Sequence, residues 1–468
     1  MHKLLLVFLL LLFSISNAQQ TILSEKNNPN LKVLSTNSFD IGKSSLHFVN
    51  YREKNGKRYY SKPYYVTENR DVKKLKAINY IPKSNIVGHH VNNGVFTYVS
   101  FLARKKIYYV TDLDLDTGIS ITSDPIKFKD ATNVFKYEDK TIISYLSSID
   151  YTAEFLEIKS SKNFKSIAFK IPEKQQNAFS KVITLFSKPT QILTDEYSEN
   201  GSIKNEKVYG LGNKIHYTLD YAKGVNKVFT FDLDQPEKGV NVSRFVTSNL
   251  DDIKDNNSFL YNKYLFCLSI SKEDLLLQVR SLEDSVFLKE YRGIDDFTMN
   301  SSISRKFIVE SYVRNVSKKK IRPTITVYET EDENLMVRIS RVYPERYNYN
   351  NDFWWHHQMF LQHQQFHQQS INSVPRFSPN PSFYENLDAI FYTYDNEEVI
   401  EFVLDKNFKI QSKENYTTKL RKIDKKKVFS KYQNSKLNRK VSAAFFDTNT
   451  TLIYLNGEKK IIIRNVDY

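Results

Sequence analysis

The chain has 468 residues, of which 40% are hydrophobic and 14% aromatic, so it can bury a large core and is not intrinsically disordered. Twelve glycines and twelve prolines exclude a collagen-like or Pro/Gly low-complexity protein. The formal net charge of +15 favours encounter with anionic surfaces, although abundant lysine throughout a chain also produces a basic protein that has no such ligand.

The first 18 residues have the composition of a signal peptide. A single positive residue, Lys3, precedes an apolar run from Leu4 to Phe13, and the segment ends in Ser16-Asn17-Ala18. The apolar run is too short to cross a hydrocarbon layer of roughly 30 Å, and small residues before the boundary are typical of signal peptidase cleavage. We therefore expect cleavage before Gln19, a periplasmic or secreted mature protein, and no transmembrane segment after cleavage; an uncleaved membrane anchor is the alternative.

From about residue 45 onward, apolar and polar residues alternate in short runs rich in Val, Ile, Tyr, Phe and Thr. Examples are Val95–Val99, Ile107–Val110, Lys227–Phe231 and Thr324–Tyr328. Alternation with a period of two is typical of strands that bury one face, and sustained helical periodicity is nearly absent. The sequence therefore predicts an all-β fold.

One element recurs along the chain: a β-rich run ends in an acidic or amide turn, and a second run returns. Two copies are close in sequence, Tyr109-Val110-Thr111-Asp112-Leu113-Asp114 and Thr230-Phe231-Asp232-Leu233-Asp234. Looser copies turn near the following residues: Glu68, Ser160, Glu283, Glu331, Lys406 and Asn456. Consecutive turns lie 46 to 50 residues apart, except for gaps of 74 and 75 residues that contain additional sequence. Such spacing is typical of a four-stranded unit repeated in tandem.

This repeat resembles β-propeller-like exported repeat proteins in general, over about residues 45 to 468. The resemblance rests on spacing and hairpin character, and no WD dipeptide, Kelch glycine pair or Asp-box assigns a subfamily. It implies a β-propeller with seven or eight four-stranded blades that stack face to face around a ring. The predicted boundaries are a signal peptide at 1–18, an N-terminal extension at 19–44, and the propeller at 45–468 with one helical insertion at about 342–385. Two or three antiparallel β-sandwich domains are the alternative.

The insertion contains the segment Phe353–Gln369, which holds both tryptophans and four of the nine histidines. This segment has no Gly, Pro or β-branched residue, and it predicts the one convincing helix of the chain. Aromatic side chains suit contact with a protein or a glycan, and the candidates are Tyr347, Tyr349, Trp354 and Trp355. A purely structural helix that packs on the propeller is the alternative.

Three histidines fall on one side of the same helix and define a transition-metal candidate: His356, His363 and His367. His363 and His367 are four residues apart, a separation that lets two imidazoles meet one ion. No Glu lies between them as in the HExxH motif, and His356 lies two turns away. We therefore expect no cofactor, with a transition metal at these histidines as the alternative.

Three other features favour structural roles. Cys267, the only cysteine, is embedded in an apolar run and is expected to pack as a small hydrophobic residue. Asp112–Gly118 alternates acids but lacks the Gly and Glu positions of an EF-hand loop, so we expect a strand that ends in a turn. His89 and His90 follow Gly88 in a predicted loop and are expected to lie at the surface.

No GxSxG elbow, P-loop, GxGxxG motif or cysteine nucleophile signature is recognisable in the sequence. The sequence favours an exported, non-enzymatic β-propeller that acts as a binding or scaffolding module at the cell envelope or outside the cell. Its expected partners are proteins or glycans of the envelope, and not nucleic acid. A propeller-type polysaccharide hydrolase or lyase, or a metal-dependent lactonase, is the alternative, because catalytic residues from distant blades can meet without forming a motif.

Overall fold

The structure is a computed structural model that describes residues 19–56, 58–129, 131–137, 139–182, 189–192, 205–293, 296, 303–316, 322–342, 400–411 and 439–467. These residues are predominantly β and include two α-helices. Their thirty strands form seven sheets, which we number I to VII. The fold is therefore all-β in its described part.

The N-terminal strand belongs to the last sheet, and sheets I to III follow it along the chain. The strands are β1 (Gln19–Lys26) in sheet VII; β2 (Leu31–Ile41), β3 (Ser44–Glu53), β4 (Tyr59–Val66), β5 (Val72–Lys74) and β6 (Ile78–Asn79) in sheet I; β7 (Asn85–Asn92), β8 (Val95–Leu102), β9 (Ile107–Asp114), β10 (Ser120–Thr122) and β11 (Ile126–Lys127) in sheet II; β12 (Asn133–Lys136), β13 (Thr141–Ser147), β14 (Thr152–Ser160) and β15 (Asn163–Lys170) in sheet III.

Sheets IV to VII complete the described strands. They are β16 (Thr190–Ile192), β17 (Glu206–Leu211), β18 (Lys214–Ala222), β19 (Val225–Asp232) and β20 (Val240–Val246) in sheet IV; β21 (Asp255–Tyr261), β22 (Tyr264–Ile270), β23 (Leu275–Ser281) and β24 (Phe287–Arg292) in sheet V; β25 (Arg322–Glu329), β26 (Leu335–Val342) and β27 (Ile400–Leu404) in sheet VI; β28 (Arg439–Phe445), β29 (Asn449–Leu455) and β30 (Lys460–Asp467) in sheet VII.

Each sheet is built on an antiparallel meander in which consecutive strands lie side by side. Sheet IV adds β16, which pairs parallel to β17. Sheet VII is completed by β1, which pairs antiparallel with β30 from Gln19 opposite Val466 to Lys26 opposite Lys460. The two ends of the described chain therefore share one sheet.

The predicted repeat turns correspond to these sheets. Five of them lie at the connection between the third and fourth meander strands of sheets I to V: Glu68, Asp114, Ser160, Asp234 and Glu283. Glu331 lies between β25 and β26, and Lys406 follows β27, so both belong to sheet VI. Asn456 lies between β29 and β30 in sheet VII. Eight similar turns thus arise from seven sheets, because sheet VI supplies two of them.

The core lies between neighbouring sheets, where apolar side chains from facing strands pack together. Sheets I and II share Phe48 and Phe96, with ring centroids 5.9 Å apart, and sheets III and IV share Phe155 and Phe231, 5.3 Å apart. Further clusters join sheet VII to I, sheet II to III, and sheets IV, V and VI. Consecutive sheets from VII through I to VI are therefore packed in series.

The two helices connect sheets. Helix α1 (Glu173–Phe179) lies between sheets III and IV, and α2 (Ile303–Val316) lies between sheets V and VI. Helix α2 buries Val309, Tyr312 and Val313, and the Tyr312 hydroxyl donates to the Ser340 carbonyl at 2.9 Å. The sequence analysis did not predict α2.

Two predicted segments can be placed along this topology. Residues 19–44, which we expected to form an extension, include β1 and the first strand of sheet I. The predicted insertion at 342–385 enters after β26, which ends at Val342, and precedes β27, which begins at Ile400. The segment 343–399 between these strands lies outside the described residues.

Candidate functional site

Every sheet carries at least one buried polar side chain on the first strand of its meander. Representative residues, one for each sheet, are Ser38, His90, Asn133, Lys207, Ser258, Thr324 and Ser442. Buried polar groups need hydrogen-bond partners, so this repeated feature points to polar contacts inside the stack of sheets. The sequence analysis did not identify this repeated feature, although each of the first strands contains a polar residue.

Polar contacts link each pair of consecutive sheets from VII through I to VI. They are Ser38 Oγ to Ser442 Oγ at 2.7 Å, Lys73 Nζ to the Asp116 carbonyl at 2.6 Å, His90 Nδ1 to Thr141 Oγ1 at 3.1 Å, Tyr217 OH to Ser144 Oγ at 3.3 Å, Ser258 Oγ to Asp220 Oδ1 at 2.8 Å, and Asn257 Nδ2 to the Pro323 carbonyl at 2.7 Å. These contacts fix how neighbouring sheets are aligned.

His47 on β3 is fully buried between two serine hydroxyls. Ser38 Oγ lies 2.7 Å from Nδ1, and Ser45 Oγ lies 2.8 Å from Nε2. Burial lowers the pKa of His47 to about 3, because the protein interior disfavours the charged ring. Both ring nitrogens of this neutral histidine are thus occupied by structural hydrogen bonds.

Lys207 on β17 and Asp220 on β18 form an ion pair whose side chains are both fully buried, with Nζ 2.6 Å from Oδ2. Asn226 Nδ2 also donates to Asp220 at 2.6 Å, and Ser258 donates through its backbone nitrogen at 3.0 Å and its hydroxyl at 2.8 Å. The carboxylate therefore accepts four hydrogen bonds and joins sheets IV and V. Loss of any of these partners would leave a buried charge poorly compensated, so the group requires sheets IV and V to keep their present alignment.

The expected surface position of His89 and His90 is wrong. Both lie on β7 and are buried, because sheets I and III cover the two faces of this strand. His89 packs on the Phe39 ring with centroids 4.5 Å apart, and His90 Nε2 lies 3.0 Å from the Lys159 carbonyl.

Two other predictions are confirmed. Cys267 is buried in the cluster that joins sheets IV to VI, and burial raises the pKa of its thiol. The acidic run that starts at Asp112 ends strand β9 and leads into a turn, in which Asp114 accepts from the Thr117 nitrogen at 2.6 Å and Gly118 has a φ of 69°. A left-handed φ favours glycine at that position.

The predicted contact and metal residues lie outside the described part of the chain: Tyr347, Tyr349, Trp354, Trp355, His356, His363 and His367. Among the described residues, no group of three or more His, Cys, Asp or Glu side chains is placed to hold a metal ion. Within the same residues, no helix is long and apolar enough to span a membrane.

A group of exposed basic residues lies at one end of sheets VII, I and II, and we call it the basic rim. Its members are Lys54, Arg58, Lys83, Arg104, Lys105, Lys106 and Lys459. Most of them lie in the turns between the second and third strands of these sheets. Two acids lie in or beside these turns: Glu458 is paired with Lys460 at 2.6 Å, and the carboxylate of Glu53, the last residue of β3, lies against Gly56.

Backbone hydrogen bonds connect the basic-rim turns of sheets VII and I through the connection between β1 and β2. The Asn27 nitrogen donates to the Lys459 carbonyl at 3.1 Å, and the Lys54 nitrogen donates to the Asn30 carbonyl at 2.9 Å. The connection that leads from sheet I to sheet II begins beside β4, where the Tyr80 nitrogen donates to the Tyr59 carbonyl at 3.3 Å. The basic rim therefore crosses three neighbouring sheets.

The opposite end of the same sheets has a different charge pattern. Its turns contain acids that pair with the few basic residues present, as in Lys43 with Glu68 at 2.9 Å and Arg70 with Asp467 at 3.2 Å. The turns of the basic rim, by contrast, contain more basic than acidic residues. A surface with an excess of positive charge attracts anions.

Comparison with known proteins identifies no family. No protein family model and no curated protein matches the chain. Among solved structures, a mutant of the apocarotenoid oxygenase from Synechocystis aligns with 55% of this chain and 61% of its own, at 8% identity and a TM-score of 0.27. The cobalt-substituted form of that oxygenase also has a TM-score of 0.27, and dihydro-heme d1 dehydrogenase NirN has 0.24 at 10% identity. This chain thus spans about three-fifths of the oxygenase, at a similarity too low to assign a function.

Proposed function

We propose that the chain is an exported, non-enzymatic β-propeller of seven blades that binds an anionic component of the cell envelope or its surroundings through the basic rim. The seven sheets packed in series, with the N-terminal strand completing the C-terminal sheet, support the architecture. Closing a ring in this way leaves no large unpaired edge at the two ends of the chain.

The observation that carries the binding proposal is the basic rim. Lys54, Arg104 and Lys105 are exposed on turns of two neighbouring sheets, and basic residues outnumber acids in and beside those turns. Turns held on a rigid scaffold are common sites of recognition. A cluster of one charge sign also raises the rate of encounter with an anionic partner.

The interior supports a scaffold rather than a reaction centre. His47 and Asp220 would be the natural acid–base groups of the buried polar network, but each is surrounded by hydrogen-bond donors or acceptors from neighbouring strands. Such groups serve to align the sheets, and ligand recognition then falls to the surface.

The insertion between β26 and β27 is proposed as a second contact surface. It occupies a connection between second and third strands, the same kind of connection that carries most of the basic rim. Trp354 and Trp355 are its proposed anchors for a protein or glycan. The alternative, a transition metal at its histidines, is discarded if purified protein contains no stoichiometric zinc, copper or iron.

The test measures saturable co-sedimentation of the mature chain, residues 19–468, with envelope material from the source organism. A rim variant and a control variant each lose three exposed positive charges. The rim variant carries Lys54→Ser, Arg104→Ser and Lys105→Ser, and the control variant carries Lys162→Ser, Lys238→Ser and Lys409→Ser. We expect the rim variant to bind roughly tenfold more weakly and the control to stay within about twofold of the wild type. Equal loss in both variants, or turnover of envelope polysaccharide by the wild type, overturns the proposal.

A further inference from the structure

Three polar side chains meet on the face of sheet IV that packs against sheet V. Asp220 lies on β18, the central strand of sheet IV, and each of its carboxylate oxygens accepts from a different neighbour. Lys207 Nζ on β17 lies 2.6 Å from Oδ2, and Asn226 Nδ2 on β19 lies 2.6 Å from Oδ1. One carboxylate therefore holds an amine and a side-chain amide that come from the two strands flanking its own.

The three side chains are shut off from water. Lys207, Asp220 and Asn226 are each at most 2% exposed. Ser258, from sheet V, donates to the carboxylate through its hydroxyl at 2.8 Å and its backbone nitrogen at 3.0 Å, and so fixes its orientation. Groups that are held in one geometry and protected from water react far more readily than the same groups free in solution.

This arrangement carries two energetic costs. The Asn226 amide nitrogen donates to Asp220, but the amide oxygen is buried and has no hydrogen-bond partner among the described residues. An unpartnered oxygen of this kind is rare in folded proteins. The ion pair between Lys207 and Asp220 also keeps two charges away from water, which is unfavourable. A reaction between the amine and the amide removes both costs.

We infer that Lys207 and Asn226 form a covalent isopeptide bond, with Asp220 as the general base. Asp220 takes one proton from the Lys207 ammonium, and the neutral amine attacks Cγ of Asn226. The Nζ–Cγ bond forms and the Cγ–Nδ2 bond breaks, while Nδ2 takes a second proton from Nζ and leaves as ammonia. Asp220 keeps the first proton and can donate it in a hydrogen bond to the oxygen of the new amide. Uncharged groups thereby replace the ion pair.

The bond joins β17 to β19 across β18 and closes a loop within sheet IV. The chain has a single cysteine, so a disulfide within the chain cannot supply such a link. Covalent cross-links stabilise a protein largely by restricting its unfolded chain. The inference goes beyond the proposed function, because the reaction takes place once in each chain, needs no ligand and leaves the basic rim unchanged.

The experiment is mass spectrometry of the full mature chain, residues 19–468, after denaturation. We expect the wild-type mass to lie about 17 Da below the mass of the sequence, because one ammonia is lost. An N-terminal glutamine can also lose ammonia by cyclisation, so digestion with trypsin locates the site. We expect residues 205–214, left uncut after Lys207, to be joined to residues 224–227.

Lys140 provides an internal control in the same digest. Its ammonium also lies beside a buried carboxylate, that of Glu157 at 3.0 Å. The other printed neighbours of Glu157 in the described chain are the ammonium groups of Lys159 and Lys165, which offer no amide to attack. We therefore expect trypsin to cut after Lys140 as it does after an ordinary lysine.

Two variants test the assigned roles. Asn226→Ala removes the amide and Asp220→Asn removes the base, so we expect neither to contain the linked peptide and both to melt at least about 3 °C below the wild type. A linked peptide in Asp220→Asn overturns the role of the base.

The wild type alone decides the inference, even where a variant fails to fold. Separate peptides 208–214 and 224–227 in its digest overturn the isopeptide bond. A link from residues 205–214 to residues 215–223, with a loss of about 18 Da, places the bond on Asp220 and overturns the role of Asn226. The variant of the basic rim is expected to keep the linked peptide, so the bond and the proposed binding function succeed or fail separately.

Discussion

At the scale of single residues, the buried polar groups determine how the protein responds to acid. His47 has a folded pKa of about 3 and an unfolded pKa near 6.5, so the unfolded chain binds more protons between these values. The contribution of His47 to stability is fully present above pH 6.5 and is lost as the pH falls toward 3. We expect the free energy of unfolding to fall by about 2 kcal/mol between pH 7 and 5 from this residue alone.

Urea denaturation of the wild type and of His47→Gln at pH 7 and pH 5 isolates this contribution. The glutamine variant is expected to be less stable at pH 7 but to lose less stability on acidification. His216, whose pKa burial lowers to about 4, is present in both proteins and cancels in the comparison. An equal loss of stability in both proteins would mean that His47 is already protonated, or exposed, in the folded state.

The Lys207–Asp220 pair is the second prediction at this scale. Lys207→Met leaves a fully buried carboxylate without its counter-charge, so we expect a loss of about 3–5 kcal/mol in the free energy of unfolding. Lys43→Met is the matched control, because Lys43 forms an ion pair with Glu68 at an exposed turn. The control is expected to have the thermal midpoint of the wild type. Similar midpoints for the two variants would show that water reaches Asp220.

At the scale of elements, strand β1 is held only partly by its pairing with β30. Glu25 on β1 also binds Lys62 at 2.8 Å and Lys74 at 2.9 Å, both in sheet I, and these ammonium groups lower the pKa of its carboxyl. Strand β1 therefore fastens sheet VII to sheet I as well as covering the edge of β30.

Deletion of residues 19–26 removes this strand and exposes the apolar edge Ile461–Ile463. We expect the thermal midpoint to fall by at least about 5 °C and the deleted protein to associate as its concentration rises, because an uncovered apolar edge strand pairs with other chains. Glu25→Gln separates the two roles, since it weakens the ion pairs and keeps the strand. A deleted protein that remains monomeric with an unchanged midpoint would show that β1 is dispensable.

The sequence predicts strands well and helix α2 poorly, for a physical reason. Strand alternation is local, so runs such as Val95–Leu102 indicate their structure without reference to the rest of the chain. Helix α2 buries Val309, Tyr312 and Val313, residue types that favour strands, and it is helical because of the packing between sheets V and VI. The local sequence therefore contains a conflicting signal.

The candidate site is less predictable than the strands, because its parts are distant in the sequence. The turns of Lys54 and Lys459 meet only at the connection between β1 and β2, where they bond to Asn30 and Asn27. The burial of His90 likewise depends on strands of sheet III that follow it by some fifty residues. Local composition indicates exposed basic turns and a histidine pair, but only the stacking of sheets decides which residues meet and which are covered.

At the scale of the whole molecule, the arrangement of the ends predicts tolerance to circular permutation. Gln19 pairs with Val466, and Arg70 binds both Gln20 and Asp467, so a short linker can join Gln19 to Asp467 without moving a strand. New ends between Asp284 and Ser285 fall in an exposed turn of sheet V. In that permutant β24 becomes the N-terminal strand and closes sheet V, as β1 closes sheet VII in the natural chain.

We expect this permutant to fold, with a single calorimetric transition whose midpoint lies within about 5 °C of the wild type, because sheets packed in series unfold together when each covers its neighbours. A second permutant with ends between Cys267 and Leu268 interrupts a buried central strand and is expected not to fold. Two separated transitions in the first permutant would indicate independent β-sandwich domains. A folded second permutant would mean that β22 does not have to be continuous for sheet V to pack, because contacts with neighbouring strands and sheets hold its two halves in place.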